Sequence, residues 1–215
     1  IINEIKKDKI SGINVTVPFK KSVIPFLDQL TSLAKEAQSV NTIYKKDNKI
    51  FGDNTDIGGF EQSLKHINYN VQNKRVFILG AGGVASSIIV ALKKLGVNKI
   101  ILANRTKKKA EDLKKMFPSL EVLNWGENTN FDIIINTTSL GLKKSDKIKI
   151  DFTKIGSNKL FYDLIYNPSK TNFLFEGEKL GNKISNGKMM FIYQAQLAFK
   201  IWHNVLPKIN NNLLD

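Results

Sequence analysis

The chain contains no cysteine. That absence removes disulfide frameworks, thiolate nucleophiles and cysteine-based metal sites together. Histidine is almost as scarce, with His66 and His203 far apart in sequence, so a histidine-rich metal site is not expected and no metal is assigned. Arginine occurs only at Arg75 and Arg105, and the net charge of +14 over 215 residues is therefore almost wholly lysine. Nucleic-acid readers favour arginine forks and interleaved aromatics, and neither pattern is present. The lysines accompany abundant asparagine and isoleucine along the whole chain, tail run Asn210-Asn211-Asn212 included, which reads as a compositional bias without a nucleic-acid partner. No apolar run approaches the length that spans a bilayer, and residues 1–10 carry Lys6, Lys7 and Lys9 where a signal segment would need an apolar core. The expectation is a cytoplasmic globular protein, monomer or homodimer, acting on a small molecule without a membrane partner.

The middle of the chain alternates regularly. Arg75-Val76-Phe77-Ile78-Leu79 is an apolar run ending at the turn Gly80-Ala81-Gly82-Gly83-Val84-Ala85. Residues 84–95 predict a helix, 99–103 a strand and 107–116 a second helix. Strands follow at 120–123, 132–136 and 160–163, then a helix around 171–180. Strands that are apolar throughout, separated by helices, belong to a parallel sheet covered on both faces. Right-handed crossovers make that sheet doubly wound.

The flanks read differently. Residues 1–56 predict a strand through Val15, a helical stretch over 30–39 and two short strands about Asn48. Residues 187–215 predict one long amphipathic helix, with Phe191, Ala195, Ala198 and Trp202 at helical spacing. A terminal helix must bury such a stripe, and it is expected to return to the first segment. The fold class is accordingly α/β. A doubly wound parallel-sheet (Rossmann) dinucleotide domain over 57–186 is joined to a smaller, discontinuous α/β lobe built from 1–56 and 187–215.

The glycine turn follows a strand and opens a helix, the context in which a Gly-x-Gly motif becomes meaningful. Gly80 permits the tight turn, Gly82 lets backbone approach a pyrophosphate, and Ala85 still allows close helix packing. The helix start supplies N–H groups and a positive dipole end. Gly80, Ala81, Gly82, Gly83 and Val84 are thus assigned to the cofactor. About 20 residues past such glycines an acidic residue would grip the ribose hydroxyl of NAD. This chain has Asn104-Arg105-Thr106-Lys107-Lys108-Lys109 there. Arg105 can fork onto a 2′-phosphate and stack on adenine, Thr106 can donate a hydroxyl and Lys109 adds charge. The cofactor expected is NADP. Lys107 and Lys108 stand in the same basic segment, though a solvated helix start suits them better than contact.

A lysine and an aspartate carry the proposed chemistry. Reducing a ketone requires a proton donor at oxygen as hydride arrives, and the reverse for oxidation. Burial lowers a lysine's proton affinity and a nearby carboxylate raises it, so such a pair can exchange a proton. Lys20 ends the apolar strand Asn14-Val15-Thr16-Val17-Pro18-Phe19-Lys20, at the kind of strand end where sites collect. Asp56 closes Gly52-Asp53-Asn54-Thr55-Asp56, ahead of Gly58-Gly59, which reads as a turn or helix start between lobes.

Those two motifs, with Val40-Asn41-Thr42, Asn104-Arg105-Thr106 and Asn136-Thr137-Thr138-Ser139-Leu140-Gly141, resemble the shikimate dehydrogenase family in sequence and in order, over essentially the whole chain. The resemblance implies NADP-dependent reduction of 3-dehydroshikimate to shikimate, in aromatic amino-acid biosynthesis. It implies Lys20 as the proton-transfer residue and Asp56 as its substrate-binding partner. Thr16, Asn41 and Gln194 would bind hydroxyl or carboxylate groups of the substrate, Tyr166 would add a phenol, and Leu164 and Gly187 would lie near the nicotinamide. Gln194 as a polar helix edge and Tyr166 as a packing residue remain the plainer readings. Departures from the family pattern are Ile57 where a glycine is usual, Thr137 for a commoner alanine, and Met189 where glycine is frequent. The family's first strand and its Ser-x-Ser substrate motif have no counterpart before Asn14, so the chain is expected to be a fragment of a longer enzyme. Competing readings are an NAD- or quinate-using relative, disfavoured by the basic segment 104–109; methylenetetrahydrofolate dehydrogenase, which the segments 14–20 and 52–56 fit poorly; and a non-catalytic NADP-binding protein, which has no use for both Lys20 and Asp56.

Overall fold

A computed structural model describes residues 1–210. The described chain divides into two compact units: residues 1–66, 86–91 and those from 189 to 210 form unit 1, and residues 67–85 and 92–188 form unit 2.

Unit 1 begins with the short helix α1 (Ile2–Lys6), strand β1 (Gly12–Asn14), helix α2 (Phe19–Ser22), the two-residue strand β2 (Gln29–Leu30) and helix α3 (Ser32–Ala37). Strands β3 (Thr42–Lys46) and β4 (Lys49–Asp53) then form a hairpin, and helix α4 (Thr55–His66) follows. The hairpin turns at Asp47 and Asn48, both with positive φ (48° and 58°), the backbone that matches the twist of a two-residue loop. The sheet order is β1-β3-β4-β2, antiparallel except for the parallel β2–β4 pair. Its core is small and aliphatic: Ile5, Val15, Ala34, Val40, Ile43 and Ile50. Thr31 caps α3 by accepting the Ala34 N–H.

Unit 2 holds strands β5 (Arg75–Leu79), β6 (Lys99–Ala103), β7 (Glu121–Leu123), β8 (Ile133–Asn136), β9 (Leu160–Asp163) and β10 (Lys183–Ser185), with helices α5 (Ala85–Lys94), α6 (Lys107–Met116) and α7 (Asn172–Lys179) between them. All six strands are parallel, in the order β10-β9-β8-β5-β6-β7. That is the doubly wound order, whose direction of progression reverses between β5 and β8. Val76 to Leu79 and Ile133 to Ile135 are buried without alternation, as a sheet covered on both faces requires. Phe131, Phe152 and Phe173 ring Phe161 with centroid separations of 6.4, 5.6 and 5.2 Å, and this aromatic cluster fills the core on the β8–β9 side.

The terminal helix α8 (Lys188–His203) belongs to unit 1 from Met189 onward. It docks as expected on the first segment: Trp202 Nε1 donates to the Ile43 carbonyl at 3.1 Å, directly over Gly12, where a Cβ would collide with both. Two details depart from the sequence reading. The helix ends at His203 and does not run on, because Asn204 turns into the left-handed region (φ 54°) and Pro207 follows; positions 211–215 of the expected helix lie outside the described residues. The buried face also differs. Met190 and Ala198 are enclosed, whereas Phe191 is 49% exposed and Ala195 is exposed.

The division between units falls after His66 and not after Asp56. Of the turn or helix start expected at Asp56, the structure has the helix start: Asp56 lies in the first turn of α4, Gly58 and Gly59 lie inside it, and the whole helix belongs to unit 1. The reason is packing: a Cβ on Gly58 would meet Leu197, and one on Gly59 would meet the Met190 carbonyl and the Gln194 backbone within 3 Å. The glycines let α4 and α8 come into backbone contact. Among the described residues no helix is long and apolar enough to cross a membrane.

Candidate active site

Among the described residues, the most buried ion pair joins two elements of unit 1. Lys20 on α2 donates through Nζ to Asp56 Oδ2 at 2.6 Å, and the two residues are 9% and 5% exposed. Residues so charged are rarely buried unless paired. Local geometry explains how Lys20 turns inward. The Thr16 carbonyl accepts the Phe19 N–H at 2.8 Å to open α2, and the Lys20 carbonyl accepts the Val40 N–H at 2.8 Å. Lys21, beside it, is exposed.

Asn41 organises the rest. Its Nδ2 donates to the second Asp56 oxygen at 3.0 Å, to Thr55 Oγ1 at 2.9 Å and toward Gln194 Oε1 at 3.3 Å. Its Oδ1 accepts the Thr55 N–H at 2.8 Å, capping the start of α4. The carboxylate is therefore held from both sides, ammonium on one oxygen and amide on the other, with lone pairs left for a hydroxyl. Gln194, reaching in from α8, also donates from Nε2 to the Phe191 carbonyl. Of the residues assigned to the substrate, Lys20, Asp56, Asn41 and Gln194 form one network. Thr16 is exposed four residues before Lys20, and among the described residues its side chain has no hydrogen-bond partner. Tyr166 lies on unit 2, 45% exposed, just before the cis Asn167–Pro168 bond. Thr55 was missed as a network member. Its signal was the uninterrupted polar run Asp53-Asn54-Thr55-Asp56, in which every residue is partly or fully buried.

In unit 2 the glycine turn lies between β5 and α5, at the carboxyl end of the strand next to the point where strand order reverses. Gly80 has φ +106°, and a Cβ there would strike Thr138 and Thr137 at 2.7 and 2.8 Å. A Cβ on exposed Gly82 would approach only the Thr137 carbonyl, at 3.8 Å, which leaves the open face a phosphate needs. Asn104 joins this turn to the basic segment: its Oδ1 accepts the Ala81 N–H at 3.0 Å and its Nδ2 donates to the Thr106 carbonyl at 2.7 Å. Arg105, Thr106, Lys107, Lys108 and Lys109 are all exposed. Three lysines crowd the positive end of α6, and that turn holds no acidic residue, an arrangement a bound anion relieves. No Asp or Glu occurs between Gly80 and Lys109. The donor set fits a dinucleotide carrying a 2′-phosphate. Leu164 and Gly187 come together as well: the Gly187 N–H donates to the Ile165 carbonyl at 3.2 Å, and a Cβ on Gly187 would stand 2.0 Å from the Leu164 carbonyl oxygen.

Comparison with known proteins shows the family. A family model for the shikimate dehydrogenase substrate binding domain matches residues 1–43, and one for shikimate / quinate 5-dehydrogenase matches residues 62–154. The chain is 59% identical over its full length to a protein of Pelagibacter ubique named shikimate dehydrogenase (NADP(+)), covering 82% of that relative. Among solved structures, shikimate dehydrogenase from Aquifex aeolicus superposes with a TM-score of 0.88 at 40% identity, over 96% of this chain and 77% of that one. A shikimate dehydrogenase solved in complex with NADP+ gives 0.91 at 34% identity, over 100% of this chain and 77% of that one.

Proposed function

This chain belongs to the shikimate dehydrogenase family, and we propose that it interconverts 3-dehydroshikimate and shikimate with NADP, Lys20 moving the proton and Asp56 holding the substrate beside it. The observation that carries the reading is the enclosed 2.6 Å contact between Lys20 Nζ and Asp56 Oδ2, with Asn41 on the other carboxylate oxygen. When bound, the reduced cofactor NADPH would supply the hydride for reduction, and its oxidised form NADP+ would accept it in oxidation. For reduction, the Lys20 ammonium gives its proton to the carbonyl oxygen as that oxygen gains charge, leaving a neutral amine that is reprotonated from solvent. In the reverse direction the neutral amine accepts the hydroxyl proton. Asp56 accepts a substrate hydroxyl while keeping the Lys20 amine in place, so the two groups bracket one region of the ring. Asn41 and Gln194 offer amide donors and acceptors that suit a polyol acid. Thr16 adds a hydroxyl and Tyr166 a phenol to the same substrate. The glycine turn (80–84), with Asn104, Arg105, Thr106 and the lysines at 107–109, holds the phosphates, and Leu164 and Gly187 border the nicotinamide.

The test is NADP reduction followed at the absorbance of the reduced nicotinamide, with shikimate and quinate in parallel and NAD as a second cofactor. Shikimate with NADP should be the fastest combination. No reduction with either acid would overturn the reading, and a preference for NAD would remove Arg105 from its assigned role.

A further inference from the structure

One carboxylate outside the Lys20–Asp56 network is fully buried without a cation. Asp163, the last residue of β9, has no exposed surface. Among the described residues it forms no ion pair, and its three partners are neutral donors. Asn136 Nδ2 and the Ile165 N–H both reach Oδ1 at 3.0 Å, and Thr171 Oγ1 reaches Oδ2 at 2.6 Å. Burial pushes its carboxyl up to about 6, against the opposing pull of those three bonds. A buried charge without a counter-charge is costly for the fold, and such a cost commonly marks a group retained for what it positions.

What Asp163 positions is set by its donors. Asn136 ends β8, paired in register with Asp163 across the two strands. It shapes the following loop: its Oδ1 accepts the Thr138 N–H and hydroxyl at 3.0 and 2.7 Å, and its Nδ2 also reaches the Leu140 carbonyl. That loop carries Thr137 and Thr138, which press on Gly80 of the phosphate turn. Thr171 is the N-cap of α7, and it packs against Gly141 of the same loop. Ile165 follows Leu164 and accepts the Gly187 N–H. A single carboxylate thus ties together the ends of adjacent strands, the loop over the glycine turn and the Leu164–Gly187 crossing.

We infer that Asp163 is a positioning residue for hydride transfer: gripped by Asn136, Thr171 and the Ile165 N–H, it fixes the Leu164 and Ile165 backbone that borders the nicotinamide. The inference rests on the reading of Leu164 and Gly187 as cofactor-facing. It separates the two ends of the cofactor, because the Ile165 N–H beside the nicotinamide is a direct partner of Asp163, whereas Asp163 reaches the glycine turn only at second hand, through the Asn136 amide, and shares no bond with Arg105.

The test compares NADP with adenosine 2′,5′-bisphosphate, which lacks the nicotinamide, on Asp163→Asn and on the pair Thr171→Val and Thr171→Ser. Asp163→Asn keeps the size but turns an NH2 toward a donor. In Asp163→Asn and Thr171→Val the affinity for NADP should fall while that for the bisphosphate stays at the wild-type value. In the ligand-free protein, amide hydrogen exchange at residues 164–166 should quicken. With shikimate, kcat should drop on the order of tenfold to a hundredfold at nearly constant KM. Thr171→Ser, which keeps the hydroxyl, should restore all three. Equal loss of both ligands, or unchanged exchange and kcat, would reduce Asp163 to a structural bond and overturn the inference. If Asp163→Asn does not fold, the Thr171 pair decides alone. A wild-type protein inactive on shikimate would overturn the proposed reaction, while the ratio of the two affinities would still judge Asp163.

Discussion

Lys20 Nζ and Asp56 Oδ2 lie 2.6 Å apart, with only 11% and 7% of their side chains exposed. The pair joins a four-residue helix to the first turn of a twelve-residue one. An ammonium held this way has little rotamer freedom left to lose when substrate binds, which favours a fixed proton-transfer geometry.

Lys20→Ala is expected to cut turnover by roughly 10²–10⁴ while NADP affinity stays near the wild-type value, since Lys20 belongs to unit 1 and the glycine turn to unit 2. Steady-state kinetics and a cofactor titration check this together. Turnover within a factor of a few of wild type would remove the proton-transfer assignment.

Asn41→Ala should act on substrate binding through its direct partner Asp56. Removing the amide frees Asp56 Oδ1 and also uncaps the Thr55 N–H, so about 1–3 kcal/mol of stability should go with it. The substrate KM should rise along with the fall in kcat. A melting curve and shikimate kinetics on the same sample measure both, and a normal KM would confine Asn41 to capping α4.

Much of this was legible in the sequence because the central strands are uninterrupted apolar runs. Strand 75–79, strand 99–103, helix 107–116 and strand 160–163 match the structure residue for residue. Strand β2 escaped because two residues carry no periodicity. At Asp56 a turn and a helix start both stayed open, because the flexibility of the glycines at 58–59 weighs against a helix, whereas helix-to-helix contact is what those glycines serve. The α8 stripe was misplaced because its apolar residues nearly circle the helix, so spacing alone could not choose a face. Asp163 and Asn136 stood at the ends of Leu160-Phe161-Tyr162-Asp163 and Ile133-Ile134-Ile135-Asn136, polar residues closing apolar runs. That signal marked strand ends but could not reveal that the two side chains bond to each other.

Arg105→Ala should weaken NADP binding by about 1.5–3 kcal/mol, the worth of a charge-assisted contact, with little effect on NAD. Titrating both cofactors tests it. A parallel fall in both affinities would mean that Arg105 stacks on adenine and does not read the 2′-phosphate.

Asp163 should leave a signature in the pH dependence of folding. Its carboxyl is raised from 3.8 to about 6 in the folded protein, so between those values the folded state holds more proton than the unfolded one. Its contribution to stability is fully present below about 3.8 and is lost as pH rises through about 6. At 1.36 kcal/mol per pKa unit the difference is on the order of 3 kcal/mol. Chemical denaturation of wild type and Asp163→Asn at pH 4.5 and 7.5 isolates it: relative to wild type, the variant should be more favoured at the higher pH. A gap that does not change with pH would refute a raised Asp163.

Gly59→Ala sets intrinsic propensity against packing. In an exposed helix interior, replacing glycine by alanine stabilises by roughly 1 kcal/mol. At this position the added methyl would lie 2.8 Å from the Met190 carbonyl and 2.9 Å from the Gln194 backbone nitrogen. Backbone on α8 cannot swing aside as a side-chain tip would, so α8 must slide away from α4. Gln194 would go with it, lengthening an approach to Asn41 that is already 3.3 Å. The variant should therefore melt lower than wild type and show a raised KM for shikimate, while cofactor affinity on unit 2 is unchanged. Thermal melting with shikimate kinetics checks both arms. A variant that melts higher and keeps its KM would show that α8 yields freely and that Gln194 is not held in place by the α4 contact.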